Sequence, residues 1–346
     1  DCSLCYWSGI VAAALGAASL LFSLCYWLVL NRILPSNKLN PRGGHFVVSG
    51  GSSGIGFALC RRLRRLGAHL TIVARDAKKL AVAKAELLAD SPELSESEAA
   101  IYLLSIDLTG DPDKLQADLD SHLATVTQPL LGVVNCAGYA LPLEFEQLSL
   151  AQHESQMATN YTAAMRLTHC LLPRLLASGQ PARIAFLSSV AGQLGVYGYT
   201  GYGAAKFALR GLAEALQMEL AASQVRLVLA FPPDTDTPGY QTENASKPAI
   251  TASISANISL YSADQIAEQL VKDLIDGRFL SCFGSDGWLV GCLTAGFSPP
   301  TGWLDTMAQC GLGGLFRVIG LVYLKSLYQL VRDGKRAAAA TDKKSD

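Results

Sequence analysis

Charge is scarce in this chain. Asp, Glu, Lys and Arg make up 16% of its 346 residues and nearly cancel, to a formal net charge of −1. No basic stripe interleaved with aromatic residues occurs, so nucleic acid is not an expected partner. Histidine is also sparse: His45, His69, His122, His153 and His169 are isolated from one another and from any cysteine pair. That pattern gives no metal-ligand set, and no metal is expected. Cys-x-x-Cys occurs only at Cys2 and Cys5, and the nine cysteines are an odd number scattered through apolar segments such as those around Cys25, Cys60, Cys136, Cys170 and Cys292. They read as reduced thiols in a reducing compartment rather than a disulfide framework.

Apolar residues, in contrast, make up half of the chain. This is enough for one large α/β core, with an excess at both ends. Gly9 to Leu30 contains no charge, and about 20 such residues cross a bilayer. Asp1 precedes the run and Arg32, Lys38 and Arg42 follow it, which places the following domain on the cytosolic side. A cleaved signal would be shorter and begin with basic residues, so residues 1–32 are expected to be a retained transmembrane anchor and 33–44, with Pro35 and Pro41, a linker. At the other end, Trp288 to Phe297 is too short to span, and Pro299-Pro300 breaks the pattern. Leu312 to Leu330 carries Arg317 and Lys325 about 80° apart on a helical wheel, which suits a helix lying at the interface with its bases reaching water. Residues 288–331 are therefore expected to be membrane-associated, the sequence leaving open whether they span, re-enter or lie on the bilayer, and 332–346 to be a disordered basic tail.

Between these ends lie three groups of residues at places where a nucleotide site needs backbone approach or proton chemistry. His45 to Gly56 reads H-F-V-V-S-G-G-S-S-G-I-G, a β-branched run followed by glycines and then the helical pattern Phe57 to Leu66. Gly50, Gly54 and Gly56, with Ser52, Ser53 and Ile55 between them, are spaced for a tight strand-to-helix turn whose helix N-terminus favours a phosphate. Strands are expected at Leu70 to Val73, Ile101 to Leu104, Leu131 to Val134, Ile184 to Leu187 and Val225 to Phe231. The strand Leu131 to Val134 runs into Asn135-Cys136-Ala137-Gly138, whose small residues again permit close approach. Finally, Tyr202 and Lys206 stand four apart at the head of an Ala/Leu-rich helix, on one face, with Ser189 at a strand end thirteen residues earlier. Tyr-x-x-x-Lys alone recurs on ordinary exposed helices. An ammonium beside a phenol would lower its pKa toward the range useful for proton exchange.

Taken jointly, these motifs resemble the short-chain dehydrogenase/reductase family from about His45 to Gly287. The resemblance implies a single doubly wound parallel sheet of seven strands, residues 45–287, that binds a nicotinamide cofactor. It implies Asn160, Ser189, Tyr202 and Lys206 as catalytic residues, Asn160 lying in an expected helix from Ala151 to Leu176. It implies cofactor contacts from Gly50, Ser52, Ser53, Gly54, Ile55, Gly56, Asp107, Leu108, Asn135, Ala137, Gly138, Tyr202, Lys206 and Thr237. Cys136 replaces a family asparagine, and Pro233 a family glycine, in the loop P-P-D-T-D-T-P-G from Pro232 to Gly239. Arg75, with Lys79 one turn later, stands where an NAD enzyme normally offers a carboxylate, so NADPH is the expected cofactor. Within the family the loop and flanking segments are most similar to reductases of sphingoid-base synthesis. That implies a long-chain sphingoid ketone as substrate, membrane lipid as a second partner, and the endoplasmic reticulum membrane as location, the catalytic domain facing the cytosol. Lys343 and Lys344 match a dilysine retrieval signal. A steroid, retinoid or fatty-acyl ketone is the alternative substrate class, and the sequence leaves open whether the chain forms a homo-oligomer. Asp234 and Asp236 are read either as a cap for the helix that follows or as partners for a substrate amine.

Overall fold

The computed structural model describes residues 37–345 except 96, 257 and 300, together with a few isolated positions before 37; side chains beyond 338 are not described. The expected anchor, 1–32, thus lies outside the described residues apart from those isolated positions. Alternation of short β-branched runs with amphipathic helices produces seven parallel strands. They are β1 (His45–Ser49), β2 (His69–Ala74), β3 (Ile101–Ser105), β4 (Leu130–Asn135), β5 (Ala182–Leu187), β6 (Val225–Phe231) and, after two minor strands β7 (Thr235–Asp236) and β8 (Tyr261–Ser262), β9 (Leu280–Cys282). Their order across the sheet is β3-β2-β1-β4-β5-β6-β9. The chain reverses its winding between β1 and β4, the point where such sheets open a crevice at the carboxyl ends of their strands. β1, β4, β5 and β6 are buried along their whole length, which is why they read as continuous apolar runs rather than alternating ones.

Helices cover both faces. They are α1 (Gly54–Arg65), α2 (Ala77–Asp90), α3 (Pro112–Leu123), α4 (Leu150–Met157), α5 (Ala163–Ala177), α6 (Thr200–Glu219), α7 (Pro238–Asn244), α8 (Ala249–Ser255), α9 (Ala263–Asp276), α10 (Gly284–Leu293) and α11 (Trp303–Ser345). One layer of core holds Leu115, Leu119, Leu167, Leu171, Leu209 and Phe231; the other holds Phe46, Leu59, Leu63, Ile72, Leu270 and Leu274.

Three expectations are corrected. The single helix from Ala151 to Leu176 is instead α4 and α5 joined by a π-turn, Ala158–Thr162, with Asn160 at its centre. A π-turn is a local one-residue expansion that periodicity does not register. The described part of the linker is packed against the domain. Leu39 is buried and its N–H donates to the Ile275 carbonyl at 2.9 Å, while fully buried Arg183 donates to the carbonyls of Leu274 and Asn37. The tail expected to be disordered continues α11 as far as Ser345. Ala337 to Ala340 are strong helix formers, and the helix is tied down just before them, where Lys335 donates to Glu144 at 2.7 Å.

α11 is by length and composition the described helix that can cross a membrane, over Trp303–Ala338. It exposes Leu315, Val318, Val322 and Leu324, and Trp288 of α10 packs edge-on to its Phe316.

Candidate active site

Six of the seven strands deliver a sequence-predicted segment to the same carboxyl edge of the sheet. After β1, Gly50 and Gly54 have φ of +68° and +55°, a backbone conformation costly for other residues. A Cβ on Gly50 would lie 2.8 Å from the Ala137 nitrogen, and one on Gly56 would lie 2.4 Å from the Gly50 carbonyl oxygen. The two glycines therefore allow the turn to close on itself and on the segment after β4. Ser53 at the start of α1 makes no side-chain cap, so its hydroxyl leaves the first-turn N–H groups free of a cap, the arrangement that favours an anion at a helix start.

At the end of β2, Arg75 is exposed and its carbonyl accepts from Ser105 Oγ at 3.0 Å. Asp76, the next residue, caps α2 by accepting from the N–H groups of Lys78 and Lys79 at 2.9 and 3.1 Å. Lys79 is exposed on that first turn. Asp107, after β3, accepts from the Thr109 N–H and hydroxyl, which hold its pKa below the usual carboxylate range. Leu108 beside it is buried in the core.

After β4, Asn135 is buried and donates to Thr168 Oγ1 at 3.0 Å and to the Ala185 carbonyl at 3.2 Å, bracing β4 against β5 and α5. The Ala137 N–H donates to Ser49 Oγ at 3.3 Å. A side chain at Gly138 would collide with Asn160, whose Oδ1 would lie 2.5 Å from the added Cβ, and would approach Lys206 Nζ at 3.4 Å. Gly138 is thus the gap through which Asn160 and Lys206 approach each other. Asn160 is clamped there, accepting from the Tyr139 N–H and donating to the carbonyls of Tyr139 and Gln156. Cys136 stays a neutral thiol, since burial pushes its pKa up to about 12.

Two contacts dock α6 onto the end of β5. Ser188 Oγ donates to the Lys206 carbonyl at 2.9 Å, and Lys206 Nζ donates to the Leu187 carbonyl at 2.7 Å. They bring Ser189, Tyr202 and Lys206 together. The Ser189 hydroxyl accepts from the Ala191 N–H and lies close enough to the Tyr202 phenol to lower its pKa, and Lys206 Nζ lies 5.3 Å from the Tyr202 ring centroid. The electrostatics differ from the expectation. Burial pushes the phenol pKa up, the nearby Ser189 hydroxyl opposes this, and the carboxylates of Glu243 and Asp234 add to the rise. The same burial lowers Lys206 to about 8. The ammonium sits against the ring face and on a backbone carbonyl, so with no cofactor bound desolvation outweighs its pull on the phenol. A phenol that keeps its proton is a proton donor at neutral pH.

From β6 the loop passes beside Ser189, where the Val190 N–H donates to the Pro232 carbonyl at 3.3 Å. Thr237 Oγ1 accepts from the Tyr240 N–H and so caps α7. It also faces the glycine turn, because a Cβ on Gly54 would lie 3.1 Å from Thr237 Cγ2. Tyr199, Glu243 and Lys247, which sequence reasoning did not single out, complete the surroundings of Tyr202; they are considered further below. The histidines have structural contacts. His45 and His122 share the Thr71 hydroxyl, with His45 held neutral by burial at a pKa of about 3, and His69 accepts from the Ala100 N–H.

Residues 45–248 match the family model described as short chain dehydrogenase. The chain belongs to that family. It is therefore an oxidoreductase. Among curated relatives of this short-chain dehydrogenase, it is 40% identical over 319 residues to a 3-ketodihydrosphingosine reductase of Bos taurus, covering 92% of this chain and 94% of that one. It is 38% identical over 314 residues to a 3-dehydrosphinganine reductase of Danio rerio, covering 90% and 93%. Among solved structures, a Sphingobium yanoikuyae short-chain dehydrogenase in complex with NADPH superposes with a TM-score of 0.59 at 25% identity, over 69% of this chain and 87% of that one. A Burkholderia phymatum family member in complex with NAD gives 0.61 at 21% identity, over 70% and 89%, and shows the shared fold.

Proposed function

We propose that this chain is an NADPH-dependent reductase that converts 3-ketodihydrosphingosine to dihydrosphingosine at the endoplasmic reticulum membrane, its catalytic domain facing the cytosol. The observation that carries the chemistry is the convergence of Ser189, Tyr202 and Lys206 at the end of β5, with Asn160 across Gly138. The substrate class is supported by the names of relatives that match nearly the whole chain.

The crevice fits a dinucleotide. The uncapped start of α1 and the Gly50–Gly56 turn, which a side chain would fill, would hold the pyrophosphate. Arg75 and Lys79, both exposed after β2, would pair with a 2′-phosphate, the neighbouring carboxylate of Asp76 being engaged as a helix cap. Asp107, Leu108, Ala137 and Gly138 would line the adenine and ribose side, with Asn135 bracing that strand end, and Thr237 would meet the nicotinamide end. When bound, the cofactor supplies the hydride that a ketone carbon accepts. Tyr202, kept protonated by burial, gives its proton to the carbonyl oxygen, and the Ser189 hydroxyl holds that oxygen in place. Lys206 stabilises the phenolate that remains, and Asn160 anchors the wall through which the proton is replaced.

We assign residues 45–287 as the catalytic domain and 288–331 as membrane-associated. An open cleft of about 860 Å³ between α8 and α11, lined in part by Ala249, Ile250, Leu330 and Gly334, borders the apolar helix and suits an alkyl chain arriving from lipid. The test is NADPH oxidation by the purified full chain with a long-chain 2-amino-3-ketone beside a steroid, a retinoid and a fatty-acyl ketone. Preference for the amino ketone supports the reading, and preference for one of the others replaces it with that substrate class.

A further inference from the structure

The loop that leaves β6 beside Ser189 carries two aspartates, and the structure separates them. Neither caps α7, since Thr237 does. Asp236 is exposed, and its recorded pairing is the backbone pairing with Ser262 of β8. Asp234 is fixed in place. Its carbonyl accepts from the Tyr261 N–H at 3.0 Å, and Thr235 next to it pairs with Tyr261. Its carboxylate, 23% exposed, accepts from the Tyr240 hydroxyl at 3.1 Å.

Behind it is a buried cation. The Lys247 side chain is only 3% exposed, and its ammonium lies over the Tyr240 ring at 4.6 Å and donates to Ser255 Oγ at 3.3 Å. It is 3.2 Å from Glu243 Oε1 but 3.8 Å from Asp234 Oδ2. Glu243 is further satisfied by the Tyr199 hydroxyl, and the Tyr199 ring is 5.8 Å from that of Tyr202. Two carboxylates thus share one ammonium, which leaves one negative charge in excess. The better-satisfied carboxylate is Glu243, so the excess falls on Asp234, the somewhat more exposed of the two. Both carboxylates raise the Tyr202 phenol pKa, so their field reaches the reacting group. An excess charge in a partly closed site calls for a cation of opposite sign.

We propose that Asp234 receives a protonated primary amine on the carbon next to the reacting carbonyl, and so selects amino ketones over plain ketones. This rests on the sphingoid reading above and names the residue that recognises its head group. Lys247 and the Tyr240 hydroxyl hold the Asp234 carboxylate in place. Lys247 lies too deep to be displaced without unpairing Glu243, so the substrate ammonium joins it as a second cation.

The experiment compares the unmodified full chain with Asp234→Asn, Asp234→Glu and Asp236→Asn, using 3-ketodihydrosphingosine and its des-amino analogue. A charge-assisted hydrogen bond lost from a partly buried site corresponds to roughly a tenfold to hundredfold change in binding. Asp234→Asn is expected to raise KM for the amino ketone by that factor, with KM for the des-amino ketone unchanged within about twofold and with unaltered Tm. Asp234→Glu should recover part of the loss, and Asp236→Asn should behave as the parent. Equal impairment of both ketones by Asp234→Asn, or no change for the amino ketone, overturns the proposal while the sphingoid reading stands. An unmodified chain that reduces neither ketone overturns both.

Discussion

Lys206 Nζ lies 5.3 Å from the Tyr202 ring centroid and donates at 2.7 Å to the Leu187 carbonyl. One buried ammonium therefore both ties α6 to the end of β5 and stands beside the acid of the reaction. Its burial gives a stability signature. In the folded protein Lys206 loses its proton at about pH 8, while in the unfolded chain it keeps it to its ordinary 10.5. Between these values the unfolded state binds more protons, so this residue makes stability rise with pH across that window. Lys206→Met should remove this pH dependence, so that the variant compares most favourably with the parent at pH 7 and progressively less so as pH approaches 10.5. Urea unfolding at several pH values checks this, and a pH-independent difference would mean that Lys206 is not buried as a charge.

Cofactor choice turns on an exposed cation. Arg75→Ala should raise KM for NADPH far more than for NADH, through loss of a charge-assisted pair of about 1.5 to 3 kcal/mol. Steady-state kinetics with both cofactors decide it. Equal effects would show that Arg75 does not meet the 2′-phosphate.

Two glycines in helices should respond oppositely to alanine. Gly56 has no room, because the added carbon would lie 2.4 Å from a backbone oxygen, whereas Gly211 on α6 has nothing within 4 Å. Gly56→Ala should lower stability by about 1–3 kcal/mol and weaken NADPH binding, since the turn must open. Gly211→Ala should raise stability by about 0.5–1 kcal/mol and leave binding unchanged. Thermal unfolding with and without NADPH tests both.

Removal of residues 1–32 should leave a folded domain that binds NADPH, because the sheet begins at His45 and the described chain packs against it from residue 37. The truncated protein should still sediment with vesicles through α11, less completely than the full chain. A wholly soluble product would show that the apolar face of α11 does not contact lipid.

How far the sequence reaches is visible in particular elements. Runs such as Val225 to Phe231 were legible because buried parallel strands are apolar throughout. β9 was not, since three residues, Leu280–Cys282, carry no periodicity. The glycine turn and the Ser189, Tyr202 and Lys206 set were legible because their backbone and proton chemistry restrict residue type and spacing. The Glu243–Lys247 pair was missed, because its partners Asp234, Tyr199 and Ser255 come from separate segments that only the fold brings together. The sign of the Tyr202 shift was missed for another reason: spacing shows that a lysine is near, but burial, a property of the whole fold, decides which effect prevails.

The most direct test of the central claim follows the transferred atom. The full chain in detergent is incubated with 3-ketodihydrosphingosine and NADPH deuterated on either face of the nicotinamide, and the dihydrosphingosine formed is examined by mass spectrometry. Deuterium from one face only should appear at the former ketone carbon, and Tyr202→Phe should abolish the product while retaining NADPH binding. Absence of labelled dihydrosphingosine from the unmodified chain, or its undiminished formation by Tyr202→Phe, would contradict the account.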